Sequence, residues 1–243
     1  MNIEKIIINK PLIILAGGFG TRLKSVLNGL PKPMADINGS PFILYLLQNL
    51  RNKGFSDFIF SLHYQPYKII DYIESIKDKQ LINCKITYVI EPIPMGTGGA
   101  ISYIIEKNLI SDSFFVTNAD TWIEDGYSII NNLEGNVIGV VEVEETERYG
   151  RISVDKDGFV LKFLEKDINN GKGLINAGIY KLSKSEFKNW DGKPYSLEKD
   201  FFSILIANKS IKAINIKSNF IDIGIPEDYN KFCNRKIYLN ESR

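Results

Sequence analysis

Leu12-Ile13-Ile14-Leu15-Ala16-Gly17-Gly18-Phe19-Gly20-Thr21-Arg22-Leu23, followed by Pro31-Lys32-Pro33-Met34, decides how this chain is read. The apolar run Leu12 to Leu15 has the length and composition of a buried strand. It breaks into Gly17, Gly18 and Gly20, where bare backbone N–H groups can meet anionic oxygens with no Cβ in the way. Leu15, Ala16, Gly17, Gly18, Gly20 and Thr21 thus form a candidate phosphate-binding turn. Arg22 and Lys32 follow on the same connection as fixed cations, suited to the roughly four negative charges of a nucleoside triphosphate. A Walker loop would need Gly-Lys followed by Ser or Thr, and no such run occurs. A dinucleotide fingerprint would need a small residue where Leu23 stands. The plain alternative is a glycine turn beside two solvated cations. The added Thr21-Arg22-Leu23 and Pro31-Lys32-Pro33 constraints weigh against it.

The 243 residues are 44% hydrophobic with a net charge of +1, enough for a substantial core and no reason to expect nucleic acid or an acidic membrane as partner. His63 is the single histidine; chemistry needing several is excluded, and His63 reads as structural. Cys84 and Cys233 lie far apart, which suits buried apolar thiols better than a disulfide or metal pair. No segment approaches the roughly 18 apolar residues of a membrane span. Pro11 interrupts the apolar run near the start, which argues against a leader, so a cytoplasmic protein is expected. A homo-oligomer is left open.

Strand and helix patterns alternate through the first half. Strands are expected at Leu12 to Ala16, Asp57 to Leu62, Cys84 to Ile90 and Ser113 to Asn118. Helices are expected at Pro41 to Lys53, Pro66 to Ile76 and Thr97 to Glu106. This rhythm predicts an α/β fold of Rossmann-like type, a mixed, mostly parallel sheet flanked by helices, with ligands at the carboxyl ends of its strands. Gly17 to Gly20, Glu91 and Asp120 each follow a strand and would share that edge. The second half turns to β segments, then an amphipathic helix over Ser196 to Asn208 and a last helix opening at Pro226. One domain spanning 1–243 is expected, with a nucleotide half over about 11–135 and a sugar half over about 136–243.

Two carboxylates close apolar strands: Asp120 after Val116-Thr117-Asn118-Ala119, and Asp222 after Phe220-Ile221. An aspartate at the ligand edge suits Mg²⁺, which takes carboxylate and phosphate oxygens; capping the following turn is the alternative. Glu91 opens the loop Glu91-Pro92-Ile93-Pro94-Met95-Gly96-Thr97. An ionised carboxylate only accepts hydrogen bonds, so it suits guanine's paired donors and repels adenine's ring nitrogen. A solvated Glu91 or a grip on ribose is the other reading.

Gly-x-Gly-Thr-Arg-Leu with Pro-Lys-Pro-Met resembles the signature of the sugar-1-phosphate nucleotidyltransferases. Leu23-Lys24-Ser25-Val26 and Asn38-Gly39-Ser40-Pro41-Phe42 are most similar to the subgroup acting on D-glycero-α-D-manno-heptose 1-phosphate with GTP. The likeness runs from about Leu12 to Tyr229. It implies the nucleotide-diphospho-sugar transferase fold, with a nucleoside triphosphate and a sugar 1-phosphate as partners and Mg²⁺ as cofactor. It implies that Arg22, Lys32, Asp120, Lys166 and Asp222 carry the chemistry, with Asp120 and Asp222 as metal ligands. Glu91, Gly96 and Thr97 would belong to the base-reading loop, and Tyr149, Gly150, Glu165, Lys166 and Asn176 would hold the sugar phosphate. Ala119 stands where the family usually has glycine, and Asp167 where it commonly has proline. The alternatives are an enzyme using UTP, CTP or dTTP with a hexose phosphate, and a non-catalytic nucleotide-sugar sensor.

Overall fold

The computed structural model describes residues 7–164 and 171–235. Strands β1 to β6 are Leu12–Leu15, Asp36–Ile37, Ser40–Pro41, Asp57–Leu62, Lys85–Ile90 and Ser113–Asn118. Strands β7 to β13 are Thr121–Ile123, Asn136–Val143, Arg151–Val154, Val160–Leu164, Gly173–Ser183, Ile211–Asn215 and Phe220–Asp222. Helices α1 to α7 are Lys24–Leu27, Phe42–Asn52, Pro66–Gln80, Gly96–Glu106, Tyr127–Asn131, Phe202–Ala207 and Pro226–Cys233. The chain forms two compact, interleaved units. One comprises Met1–Pro94, Asn118–Trp122 and Ile221–Arg243; the other comprises Met95–Thr117 and Ile123–Phe220.

The first unit is built on β1, β4 and β5, paired in parallel with Leu15 opposite Ser61 and Leu62 opposite Ile90. Leu12, Ile13 and Ile14 are fully buried, the pattern of a parallel strand covered on both faces. Helix α2 buries Phe42, Leu46, Leu47 and Leu50. It stops where Gly54, at φ 101, donates its N–H to the Arg51 carbonyl, a left-handed cap that glycine adopts without strain. Helix α3 starts at Pro66, as the proline signal predicts, and runs beyond Ile76 to Gln80. The apolar spacing fades there, but tertiary bonds hold the last turn. Gln48 Nε2 donates to Gln80 Oε1 at 2.7 Å and Arg51 donates to the Gln80 carbonyl at 3.2 Å.

Parallel pairing puts the carboxyl ends of β1, β4 and β5 on one side. Ala119 N–H donates to the Leu15 carbonyl at 3.0 Å, and Ile223 N–H donates to the Asp120 carbonyl at 3.0 Å. These two backbone bonds bring both late-coming aspartates to the glycine turn.

The second unit is organised around β11, antiparallel to β6, β8 and, at Ile175 opposite Arg151, β9. Strand β12 adds in parallel to β8, and β10 antiparallel to β9. The β11–β8 register shifts between Asn176 and Tyr180, where Gly178 has φ 68. This bulge re-aims side chains mid-strand, a device common near functional sites. The segment Ser196 to Asn208, expected as one α-helix, opens with a π-helical turn over Leu197–Phe201 before α6. No helix among the described residues is long and apolar enough to cross a membrane.

Candidate active site

The three glycines of the first turn answer to three different requirements. A Cβ on Gly17 would lie 2.8 Å from Glu91 Oε1 and 3.3 Å from His63 Cβ. Gly20 has φ +63, and a Cβ there would crowd Leu27 and Lys32 at 3.0 and 3.2 Å. Gly18 has nothing within 4 Å of such an atom: protein packing does not demand glycine there. Ala16 is buried, its N–H donating to the Ser61 carbonyl at 2.9 Å. Thr21 and Arg22 lie exposed in a 3-10 turn.

Lys32 sits in the short 3-10 turn Lys32–Met34, flanked by Pro31 and Pro33. Its ammonium, 9% exposed as a residue, donates to Asp120 Oδ2 at 2.6 Å. Thr121 Oγ1 donates to the other oxygen, Oδ1, at 3.3 Å. Asp222 Oδ1 accepts from the Gly224 N–H at 2.7 Å. Burial above all, and then the Asp120 carboxylate, push the Asp222 carboxyl above the ordinary aspartate range; Lys32, the Gly224 amide and Arg22 only partly oppose this. The pair of carboxylates is therefore short of positive charge.

That deficit fits a divalent cation. Among the described residues no group of three or more His, Cys, Asp or Glu is assembled for a metal. Two carboxylates completed by water and phosphate oxygens match what Mg²⁺ takes, since it rarely accepts an all-protein cage.

Glu91 follows β5 and is 6% exposed. Its Oε1 accepts from Ser61 Oγ at 2.9 Å, and its backbone carbonyl lies 3.1 Å from His63 Nδ1. A carbonyl only accepts, so that contact assigns the His63 proton to Nδ1. His63 is thus engaged as a structural residue, with Phe19 packed edge-on at 5.9 Å.

In the second unit, the first turn of α4 is closed by Tyr195. The Tyr195 carbonyl accepts from Gly98 and Gly99 N–H groups at 3.0 and 3.3 Å, and a Cβ on Gly96 would lie 2.5 Å from that oxygen. Gly96 is favoured both by its φ of +68 and by this packing. Thr97 Oγ1 accepts from Leu197 N–H at 2.8 Å and donates to Glu198 Oε2 at 2.9 Å. Asn176, placed by the β11 bulge, donates to Tyr180 Oη at 2.7 Å and accepts from Gly178 N–H at 2.9 Å. One amide hydrogen and one lone pair of Asn176 are used there. Tyr149 packs edge-on against Phe220 at 5.8 Å. A Cβ on Gly150 would meet the Leu164 carbonyl at 3.1 Å. Glu165 and Lys166 lie outside the described residues.

Residues 11–236 match the Nucleotidyl transferase family. The chain belongs to that family. This nucleotidyl transferase is 35% identical, over 90% of its own length and 97% of the relative's, to D-glycero-alpha-D-manno-heptose 1-phosphate guanylyltransferase of Campylobacter jejuni. It is 33% identical to mannose-1-phosphate guanyltransferase of Yarrowia lipolytica, over 89% of this chain and 61% of that longer one. The crystal structure of HddC from Yersinia pseudotuberculosis complexed with GMP-PN is 41% identical, covers 92% of this chain and 98% of its own, and superposes with a TM-score of 0.79. UDP-glucose pyrophosphorylase complexed with UDP-glucose, 22% identical at a TM-score of 0.77, shares the fold. The protein is a sugar-1-phosphate nucleotidyltransferase with the mixed, mostly parallel sheet and flanking helices of the nucleotide-diphospho-sugar transferase fold.

Ser61, Tyr195 and Glu198 are the residues of this nucleotidyl transferase that sequence reasoning passes over. Ser61 is hidden because a serine inside the apolar run Phe58-Ile59-Phe60-Ser61-Leu62 announces nothing by itself. Glu198 follows a capping serine, Ser196, whose Oγ accepts from Lys199 N–H at 3.1 Å, a signal that marks the start of a helical turn but not the role of Glu198 within it.

Proposed function

We propose that this nucleotidyltransferase condenses GTP with D-glycero-α-D-manno-heptose 1-phosphate to give GDP-heptose and pyrophosphate. The observation that carries the choice of base is Glu91, buried against Gly17 at the carboxyl end of β5. A carboxylate there offers only acceptors, which pair with guanine N1–H and N2–H and leave adenine, with an acceptor at N1, opposed. The heptose and mannose 1-phosphate guanylyltransferases among its relatives, and the solved relative holding GMP-PN, support the same base.

In this reading a nonbridging oxygen of the sugar phosphate attacks the α-phosphorus. The new P–O bond forms as the bond to the α,β-bridging oxygen breaks, and pyrophosphate leaves with that electron pair. The attacking oxygen is already anionic at neutral pH, so no general base is required; the barrier is repulsion between two polyanions and loss of approach entropy. The turn from Leu15 to Thr21 offers backbone N–H groups to the triphosphate. Arg22 and Lys32 neutralise it, Lys32 being held by its bond to Asp120. Asp120 and Asp222 hold Mg²⁺, which supplies charge compensation at the phosphates when bound. Lys166 pairs with the sugar phosphate, Glu165 and Asn176 with sugar hydroxyls, and Tyr149 and Gly150 shape the same subsite. Gly96 and Thr97 form the loop at the base.

Pyrophosphate release tests this with GTP, ATP, CTP, UTP and dTTP against heptose, mannose and glucose 1-phosphates with Mg²⁺. Turnover with GTP and the heptose phosphate is expected. Turnover with GTP and mannose 1-phosphate, the reading favoured by the yeast relative, would keep Glu91's role and replace the sugar. Turnover with another base would remove both.

A further inference from the structure

We infer that Glu198 is a positioning residue that locks the base loop and the sugar-holding strand into one arrangement. The inference rests on the assignment of Gly96 and Thr97 to the nucleotide and of Asn176 to the sugar. Both oxygens of Glu198 are engaged. Oε2 accepts from Thr97 Oγ1 at 2.9 Å and from Ser196 Oγ at 3.1 Å, and Oε1 accepts from Tyr180 Oη at 3.2 Å.

The bonds have one direction throughout. Asn176 Nδ2 donates to Tyr180 Oη, which donates to Glu198. Leu197 N–H donates to Thr97 Oγ1, which donates to the same carboxylate. Three hydroxyl donors converge on one side chain, whose two oxygens have the lone pairs to accept from all of them. Tyr180 is fully buried and cannot turn to water for a substitute partner.

The backbone is shaped for this role. Glu198 lies in the π-helical turn Leu197–Phe201, where Phe201 N–H reaches back to the Ser196 carbonyl at 3.2 Å. Such turns are rare and collect at functional sites. The residue that opens the turn's approach, Tyr195, accepts at its carbonyl from the Gly98 and Gly99 amides in the first turn of α4. At the far end of the chain of bonds, Asn176 stands on the β11 bulge, its Oδ1 anchored by Gly178 N–H. The network thus begins in the first turn of α4 and ends at an irregularity in β11, and Glu198 accepts hydrogen bonds from both sides of it.

Steady-state pyrophosphate release with both substrates varied tests the assignment on the intact enzyme. Glu198→Ala should raise KM for GTP and for the sugar phosphate, each roughly tenfold, the loss expected when a charge-assisted hydrogen bond goes. Tyr180→Phe removes the Oε1 donor and, with it, the acceptor of the Asn176 amide, and should raise the sugar-phosphate KM alone. Thr97→Val removes an Oε2 donor and should raise the GTP KM alone. Glu198→Gln keeps its carbonyl toward the two Oε2 donors, so the GTP KM should return near the wild-type value while the sugar-phosphate KM stays high. Wild-type KM values in Tyr180→Phe and Thr97→Val, with Glu198→Ala losing only active fraction or thermal stability, would reduce Glu198 to a structural residue and overturn the inference while leaving the proposed function intact. A wild type silent with every substrate pair would instead overturn the proposed function, and the inference with it.

Discussion

The carboxylates of the two units are held in opposite ways. In the first unit Asp222 is pushed toward its neutral form by burial and by Asp120, and the cations nearby do not cancel the effect. In the second, Glu198 accepts from three hydroxyl groups. One carboxylate is disfavoured in its charged form and the other has hydroxyl donors on both oxygens. The first is what a site of charge neutralisation would require and the second what a scaffold that fixes distances would require.

The largest effect should come from breaking the first arrangement. Asp120→Asn removes half of the proposed metal pair and the partner of a buried ammonium together, so turnover at saturating substrates should fall by about 10³-fold, at the upper end of what loss of one electrostatic stabiliser costs. A rate within tenfold of wild type in excess Mg²⁺ would show that Asp120 does not hold the ion. The same substitution should also lower thermal stability, because Lys32 is left buried without its carboxylate.

A smaller effect separates ligand contact from packing within the glycine turn. Gly18→Ala meets no protein atom within 4 Å. It should leave the melting temperature unchanged and raise the GTP KM by roughly tenfold, as expected if a methyl group displaces one phosphate contact. Gly17→Ala drives a Cβ to 2.8 Å from the Glu91 carboxylate and should lower stability by about 1–3 kcal/mol, the usual cost of overpacking. Urea unfolding and KM measured side by side distinguish the two. Equal stability losses would assign both glycines to packing.

The same contrast explains what the sequence discloses. Strands β1, β4, β5 and β6 are apolar runs bounded by turn residues, so period and punctuation locate them within a residue. The Gly-x-Gly-Thr-Arg-Leu turn is local as well, and its chemistry shows in consecutive residues. Asp120 and Asp222 are separated by a hundred residues; their adjacency depends on backbone bonds from Ala119 to Leu15 and from Ile223 to Asp120 that no local pattern encodes. Glu198 is harder still. Its donors come from Thr97, Tyr180 and Ser196, and its π-helical turn has no propensity signature to separate it from the α-helix that follows. Gly96 shows the converse: the resemblance alone places it in the base-reading loop, and the structure adds a packing requirement, since a Cβ there would lie 2.5 Å from the Tyr195 carbonyl oxygen.

The last prediction turns the frustration at Asp222 into a stability measurement. Its carboxyl titrates above the ordinary aspartate range in the folded protein and within that range once unfolded. Between those two values the folded state binds more protons than the unfolded one, so stability falls as pH rises through the window, and the penalty is fully present above it. Asp222→Asn carries no such penalty. In metal-free buffer at neutral pH the variant should melt above the wild type although it has lost activity, and the gap should narrow as pH falls through that window and be closed once pH is below the ordinary aspartate range. Adding Mg²⁺ should raise the wild-type melting temperature and not the variant's, since only a competent pair gains from binding. A variant that melts below the wild type in metal-free buffer at neutral pH would mean that Asp222 is stabilised by its surroundings, and the contrast with Glu198 would fail.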